Sequence, residues 1–225
     1  MIRSFIPAVL LLGMAAPAMA VTVSQTDDDF ATVDGGFDFK DFTFDASEFG
    51  DEQAITGVTL QVVFDKCVNT VSADGCGDPG GGTIPFNNEI GFALIAPDGT
   101  IVSLIENDGG NEDFETGATS TFGIGSGDFE NISILFSDGG AALGADPVSG
   151  TFAPEGALSD FAGVLASGTW RFFFEDDAGA DPLGIRSVTL SLTTAGAIDV
   201  PAPAALGLFG LGLAGLAGWR RRKAG

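Results

Sequence analysis

The sequence predicts an all-β fold, a sandwich or jelly roll of about eight strands. Three observations carry this. Short apolar alternations recur along residues 21–199, Gly, Asp, Pro and Asn punctuate them, and no apolar pattern of helical period is sustained. A strand shows alternate side chains to opposite faces, so alternation over five to ten residues marks a strand with one face on a core. Many short strands joined by such turns favour packed sheets over a helical bundle.

The candidates are residues 37–44, 55–64, 89–96, 100–105, 118–123, 131–136, 168–176 and 185–193. In the second, Val58, Leu60, Val62 and Phe64 alternate with Thr59 and Gln61; in the sixth, Ile132, Ile134 and Phe136 share a parity. Trp170, Phe172 and Phe174 do so in the seventh, and Val188, Leu190 and Leu192 in the eighth. Pro97-Asp98-Gly99 reads as a turn, with Pro fixing φ and Gly free to take φ > 0. The Phe-rich stretch Phe37–Phe44 reads as sandwich core.

The chain has 225 residues and a formal charge of −22, with no His and no Tyr. All 31 acidic residues fall between Asp27 and Asp199, where Lys40, Lys66, Arg171 and Arg186 are the only cations. Such an acidic body excludes nucleic acid as a partner, since phosphates are repelled. Absence of His removes imidazole-based triads and His-ligated zinc. No Gly-x-Ser-x-Gly elbow or Ser-x-x-Lys spacing occurs, and Gly77–Gly82 lacks the Lys of a phosphate loop. A pair of carboxylates acting as glycosidase acid and base stays open, but 31 acids make any one pair uninformative.

Cys67 and Cys76 are the only cysteines. In an exported chain two cysteines this close are expected to form a disulfide, worth about 2.5–3 kcal/mol for so short a ring. A metal or redox role is the weaker alternative, because no further Cys or His completes a site.

Both ends read as addresses. Arg3, the apolar run Phe5–Met14 and Ala18-x-Ala20 describe a cleaved signal peptide over residues 1–20, leaving a body at 21–199. At the other end the uncharged Val200–Trp219 is long enough for one transmembrane helix, followed by Arg220, Arg221, Arg222 and Lys223. Cations placed there mark the cytoplasmic side, so the body faces outward. Gly210–Gly215 matches a dinucleotide fingerprint only formally, having no preceding strand. The order of Pro201 and Pro203, apolar span and Arg cluster resembles the PEP-CTERM sorting signal of exported bacterial proteins. That resemblance implies an exosortase-like processing enzyme acting near the prolines. It also implies export through the inner membrane of a bacterium to the cell envelope, cell surface or extracellular matrix. Ala202 stands where that signal usually has Glu, as in a Val-Pro-Ala-Pro-Ala variant. The competing reading is a permanent membrane anchor.

Within the body, Glu89–Thr100, Phe136-Ser137-Asp138, Gly150–Pro154 with Leu158–Gly163, and Gly168-Thr169-Trp170 follow one another, and Asp176, Asp181, Gly184 and Leu190 close the series. This order resembles the P domain of proprotein convertases across residues 55–193, and implies a jelly-roll β-sandwich. Residues 66–87 look inserted relative to that family. In proteases that carry it the P domain is an accessory to a separate catalytic domain.

The expected site is a calcium ion. Asp176 is expected at a strand end, with Gly179 letting Asp181 return beside it; Asp138 and, more weakly, Glu89 complete the shell. Clustered carboxylates repel by a few kcal/mol per pair at an effective dielectric near 20, and a hard cation removes that repulsion. The competing reading is a solvated acidic surface. Taken together, these readings give a non-enzymatic surface or matrix protein whose partner is an extracellular polysaccharide or another surface protein. The alternatives are an accessory module acting in trans with a secreted protease, or a carboxylate-dependent hydrolase.

Overall fold

The alternation at Val58, Leu60, Val62 and Phe64 places one face of a long strand in a dry interior, and the remaining strands are arranged around it. In the computed structural model the described residues are 19–50, 53–77, 85–107, 120–123, 125 and 127–195. They form twelve strands: β1 (Val21–Asp27), β2 (Ala31–Val33), β3 (Gly36–Phe44), β4 (Ile55–Lys66), β5 (Val71–Ser72), β6 (Gly75–Cys76), β7 (Ile90–Ile95), β8 (Ile101–Ile105), β9 (Phe129–Ala141), β10 (Gly150–Phe152), β11 (Gly168–Asp176) and β12 (Leu183–Thr194). One sheet has the order β1-β12-β4-β9-β10, with β2 also on β12. The other runs β3-β11-β7-β8, and β5-β6 is a separate hairpin. β10 pairs with β9 in parallel, whereas the other ladders are antiparallel.

The inner faces meet through aromatic rings. Phe64 of one sheet meets Phe92 of the other edge-on at 5.4 Å, and Phe92 meets Phe172 at 5.3 Å. Trp170 packs on Phe161 at 5.0 Å and donates its ring N–H to the Ala166 carbonyl at 2.9 Å. Each fully buried side chain of this kind contributes about 1.5–3 kcal/mol, and each edge-on pair roughly 1 kcal/mol more.

Seven of the eight expected strands are present, and 168–176 keeps its boundaries. The fifth, expected at 118–123, is corrected: its described residues 120–123 are not a strand. Phe122 is buried there, but Thr121 closes a loop, giving its N–H to Glu106 O at 2.8 Å and accepting the Glu106 N–H on Oγ1 at 2.9 Å. The core reading of Phe37–Phe44 holds for one parity. Phe42 and Phe44 are buried, whereas Phe37 and Phe39 face outward. The expected turn closes the β7–β8 hairpin, with Gly99 at φ +89°. The expected leader, apart from its last two residues, and the tail with its transmembrane helix, Pro201, Pro203 and Arg220–Arg222, lie outside the described residues. Among the described residues no helix is long and apolar enough to cross a membrane.

Candidate functional site

The inward parity of β4 does not stop at Phe64. Lys66 is next on that face and is fully buried. Opposite it, β11 continues Trp170, Phe172 and Phe174 into Asp176, which is also fully buried. The ammonium Nζ of Lys66 lies 2.6 Å from Asp176 Oδ1, 3.1 Å from Asp181 Oδ2 and 3.8 Å from Glu89 Oε2. Four titratable groups therefore share one interior corner between the sheets.

Local structure delivers each of them. Glu89 ends a 3-10 turn (Asn87–Glu89) immediately before β7, where Ile90 is the ladder partner of Asp176. Its carbonyl accepts the Asp177 N–H, fixing the start of the β11–β12 connection. Asp181 comes back toward the core because Ala180 adopts φ +109°, its N–H held by Asp34 Oδ1 at 2.7 Å. The Asp181 carboxylate also accepts the Phe86 N–H. Pro182 O receives the Cys67 N–H at 3.1 Å, tying this loop to the residue after Lys66. Cys67 and Cys76 form the expected disulfide, closing the β5–β6 hairpin over this end of the sandwich.

Three carboxylates around one ammonium exceed its charge, and the corner responds by holding protons. Burial pushes the Glu89 carboxyl up to about 7, and the neighbouring Asp181 charge adds to the effect against the pull of Lys66. Burial likewise pushes Asp176 up to about 7, opposed by Lys66 and reinforced by Asp181 and Glu89. Asp176 Oδ2 and both side-chain polar atoms of the buried Asn87 make no hydrogen bond among the described residues. The corner can exchange protons between carboxyls, and it sets an amine against a carboxyl in apolar surroundings.

The expected calcium shell is redrawn by this geometry. Glu89, Asp176 and Asp181 do converge, but around an ammonium rather than a space for a metal. A calcium ion takes six to eight oxygens at about 2.3–2.6 Å. Here Lys66 occupies the centre, and two unit charges 4 Å apart repel by about 4 kcal/mol at an effective dielectric of 20, twice that for a divalent ion. Asp138 is elsewhere: its two oxygens accept the Leu158 and Ser159 N–H groups at 2.7 and 2.8 Å, at the start of a 3-10 turn. No group of three or more His, Cys, Asp or Glu arranged to hold a metal ion occurs among the described residues. The calcium ion therefore does not fit. The sequence reading missed Lys66 itself, although its parity with Phe64 was the available signal.

The other three body cations are also committed to aspartates. Lys40 reaches Asp27 at 2.5 Å, Arg171 forks onto Asp41 at 2.7 and 2.9 Å, and Arg186 reaches the buried Asp65 at 2.7 Å. A groove of about 310 Å³ opens between Ile55–Thr59, Ser137–Asp138 and Leu158–Ser159, and among the described residues Asp138 is its one ionisable lining residue.

The fold and this corner define an all-β protein with an internal ion-pair cluster. Residues 199–223 match the PEP-CTERM protein-sorting motif. The match implies export through the inner membrane to the bacterial envelope or surface, and processing by an exosortase-like enzyme. No curated protein matches the chain. Two solved structures are similar over most of the chain. One is the Aeromonas sobria serine protease in complex with its chaperone, at 11% identity and TM-score 0.37, covering 80% of this chain. The other is the serine protease of Aeromonas sobria, at 10% identity and TM-score 0.34, covering 77%. This chain spans 28% and 27% of the length of those chains.

Proposed function

We propose that this is an exported, non-enzymatic cell-surface or matrix protein, its P-domain-like jelly-roll body serving as a structural or binding module that an exosortase-like system sorts. The observation that carries the reading is the sorting motif at residues 199–223, placed after a body whose four cations are all tied to aspartates. Such a body offers no free cation for an anionic partner, so the outward partner is a neutral glycan or a surface protein with exposed cations.

An accessory role beside a secreted protease is the second reading, favoured by the ordered P-domain-like motifs within residues 55–193. A carboxylate-dependent hydrolase ranks third. Mass spectrometry of the cell-associated protein tests the first. A chain beginning near Val21 and ending near residues 200–204 supports it, whereas an intact C-terminus means a permanent anchor. Co-purification of an active protease with the body would replace the first reading by the second.

A further inference from the structure

The Lys66–Asp176 pair is an unusual thing to bury. Both side chains have no solvent exposure, they belong to strands of different sheets, and they lie 110 residues apart in sequence. The interior beside them is aromatic: Phe64 precedes Lys66 by two residues on β4, Phe174 precedes Asp176 by two on β11, and Phe92 and Phe172 complete the wall. Taking two charges into such surroundings costs several kcal/mol per ion, which an ion pair offsets only in part. Moving the proton from ammonium to carboxylate leaves a neutral amine facing a neutral acid, the forms that apolar surroundings favour and the forms that react.

We propose that Lys66 and Asp176 condense into an intramolecular amide that joins the two sheets covalently, with Glu89 carrying the proton. The Lys66 amine lone pair attacks Asp176 Cγ, forming the C–N bond while the carbonyl π electrons move onto oxygen. Glu89 takes a proton from the nitrogen and delivers it to the departing hydroxyl. The C–O bond then breaks, the carbonyl re-forms and one water leaves. Ammonium plus carboxylate thus becomes amide plus water, with no oxidant, reductant or activated co-reactant. Holding the groups 2.6 Å apart replaces chemical activation, since well-oriented intramolecular partners reach effective concentrations of about 10⁵–10⁸ M.

Asp176 is the acyl partner, and Asp181 is not. Asp181 lies farther from the Lys66 Nζ, at 3.1 Å against 2.6 Å for Asp176, and its Oδ2 is already taken by the Phe86 N–H. Asp176 Oδ2 has no hydrogen-bond partner among the described residues and can take up the proton that makes Cγ electrophilic. The upward shift of Asp176 to about 7 agrees with a proton-bearing acyl carboxyl near neutral pH, and Glu89, also raised to about 7, can both take up and release a proton there. Asp181 is a positioning residue, 3.1 Å from the nucleophile.

The test is the intact mass of the full chain purified from exporting cells, denatured but not reduced, with digestion to peptides. The expected mass is below that of the processed sequence by one water beyond the two hydrogens of the disulfide. A branched peptide should join the segments around Lys66 and Asp176. Lys66→Arg should restore the water, and Glu89→Gln should slow bond formation by about 10²–10⁴-fold, the usual weight of a positioned proton carrier. Separate Lys66 and Asp176 peptides from the wild type overturn the proposal. So does a water loss that persists in Lys66→Arg, which would be an aspartate closing on its own backbone. The branched peptide is read on the wild type, so failure of a variant to fold leaves the decision intact.

Discussion

Asp65 and Lys66, adjacent at the end of β4, are both fully buried, and each meets opposite charge on its own side of the sheet. Asp65 holds Arg186 at 2.7 Å and the Asn131 N–H at 2.7 Å, while Lys66 holds Asp176 at 2.6 Å. One strand end therefore carries charge on both faces where the rest of its inner parity is apolar.

Removing the lysine alone should damage the protein more than removing the pair. Lys66→Met leaves Asp176 and Asp181 buried without their cation and should lower unfolding free energy by about 3–5 kcal/mol in urea titration. Lys66→Met combined with Asp176→Leu should be more stable than Lys66→Met alone, since apolar groups of similar volume remove the desolvation penalty of the unpaired carboxylate. A double variant as unstable as the single one would contradict this account.

Stability should fall as pH rises toward neutrality. Folding raises Glu89 from 4.5 to about 7, so the folded protein holds this proton more tightly than the unfolded chain. The stabilisation is fully present below about 4.5 and is lost as pH climbs through 7. Asp176 acts in the same direction from 3.8, except in molecules where its carboxyl is consumed in the amide. Denaturation midpoints across this range should show the decline, and Glu89→Gln should flatten it.

The disulfide closes only a short ring, and its removal should have a limited effect. Cys67→Ser with Cys76→Ser should lower stability by about 2.5–3 kcal/mol without unfolding the sandwich. The check is a shifted urea midpoint with an unchanged slope.

Calcium should leave the wild type alone. Adding the ion to chelated protein should not move its melting temperature, because Lys66 already sits among Glu89, Asp176 and Asp181. Lys66→Gln removes the central charge and should create a calcium-dependent rise. A clear rise in the wild type would restore the metal reading.

What could be read from the residues follows from how burial works. β4, β9, β11 and β12 each bury one parity more deeply than the other over part of their length, so their sequences alternate visibly there. β1 escaped because its Thr22, Ser24 and Thr26 gain their place from hydroxyl contacts to Thr193, Ser191 and Thr189, which only the fold brings opposite. β10 is three residues long and carries no period. The convergence of Glu89, Asp176 and Asp181 was legible from acidic turn residues. Its filling by Lys66 was signalled only by parity with Phe64, and a charged residue next to a Cys-bounded segment reads more readily as the start of a loop than as the continuation of a buried face.

The register of β1 on β12 has a mechanical consequence. Val21 is partnered with Thr194, so the chain enters and leaves the sandwich at one pole, while Lys66 opposite Leu183 lies at the other. Twelve residues of β12 separate these poles by about 40 Å at roughly 3.3 Å per residue. A load gripped at the far pole and pulled from Thr194 draws β12 lengthwise between β1 and β4. The rungs on both sides then bear it at once, like a lap joint, instead of parting singly like a zip.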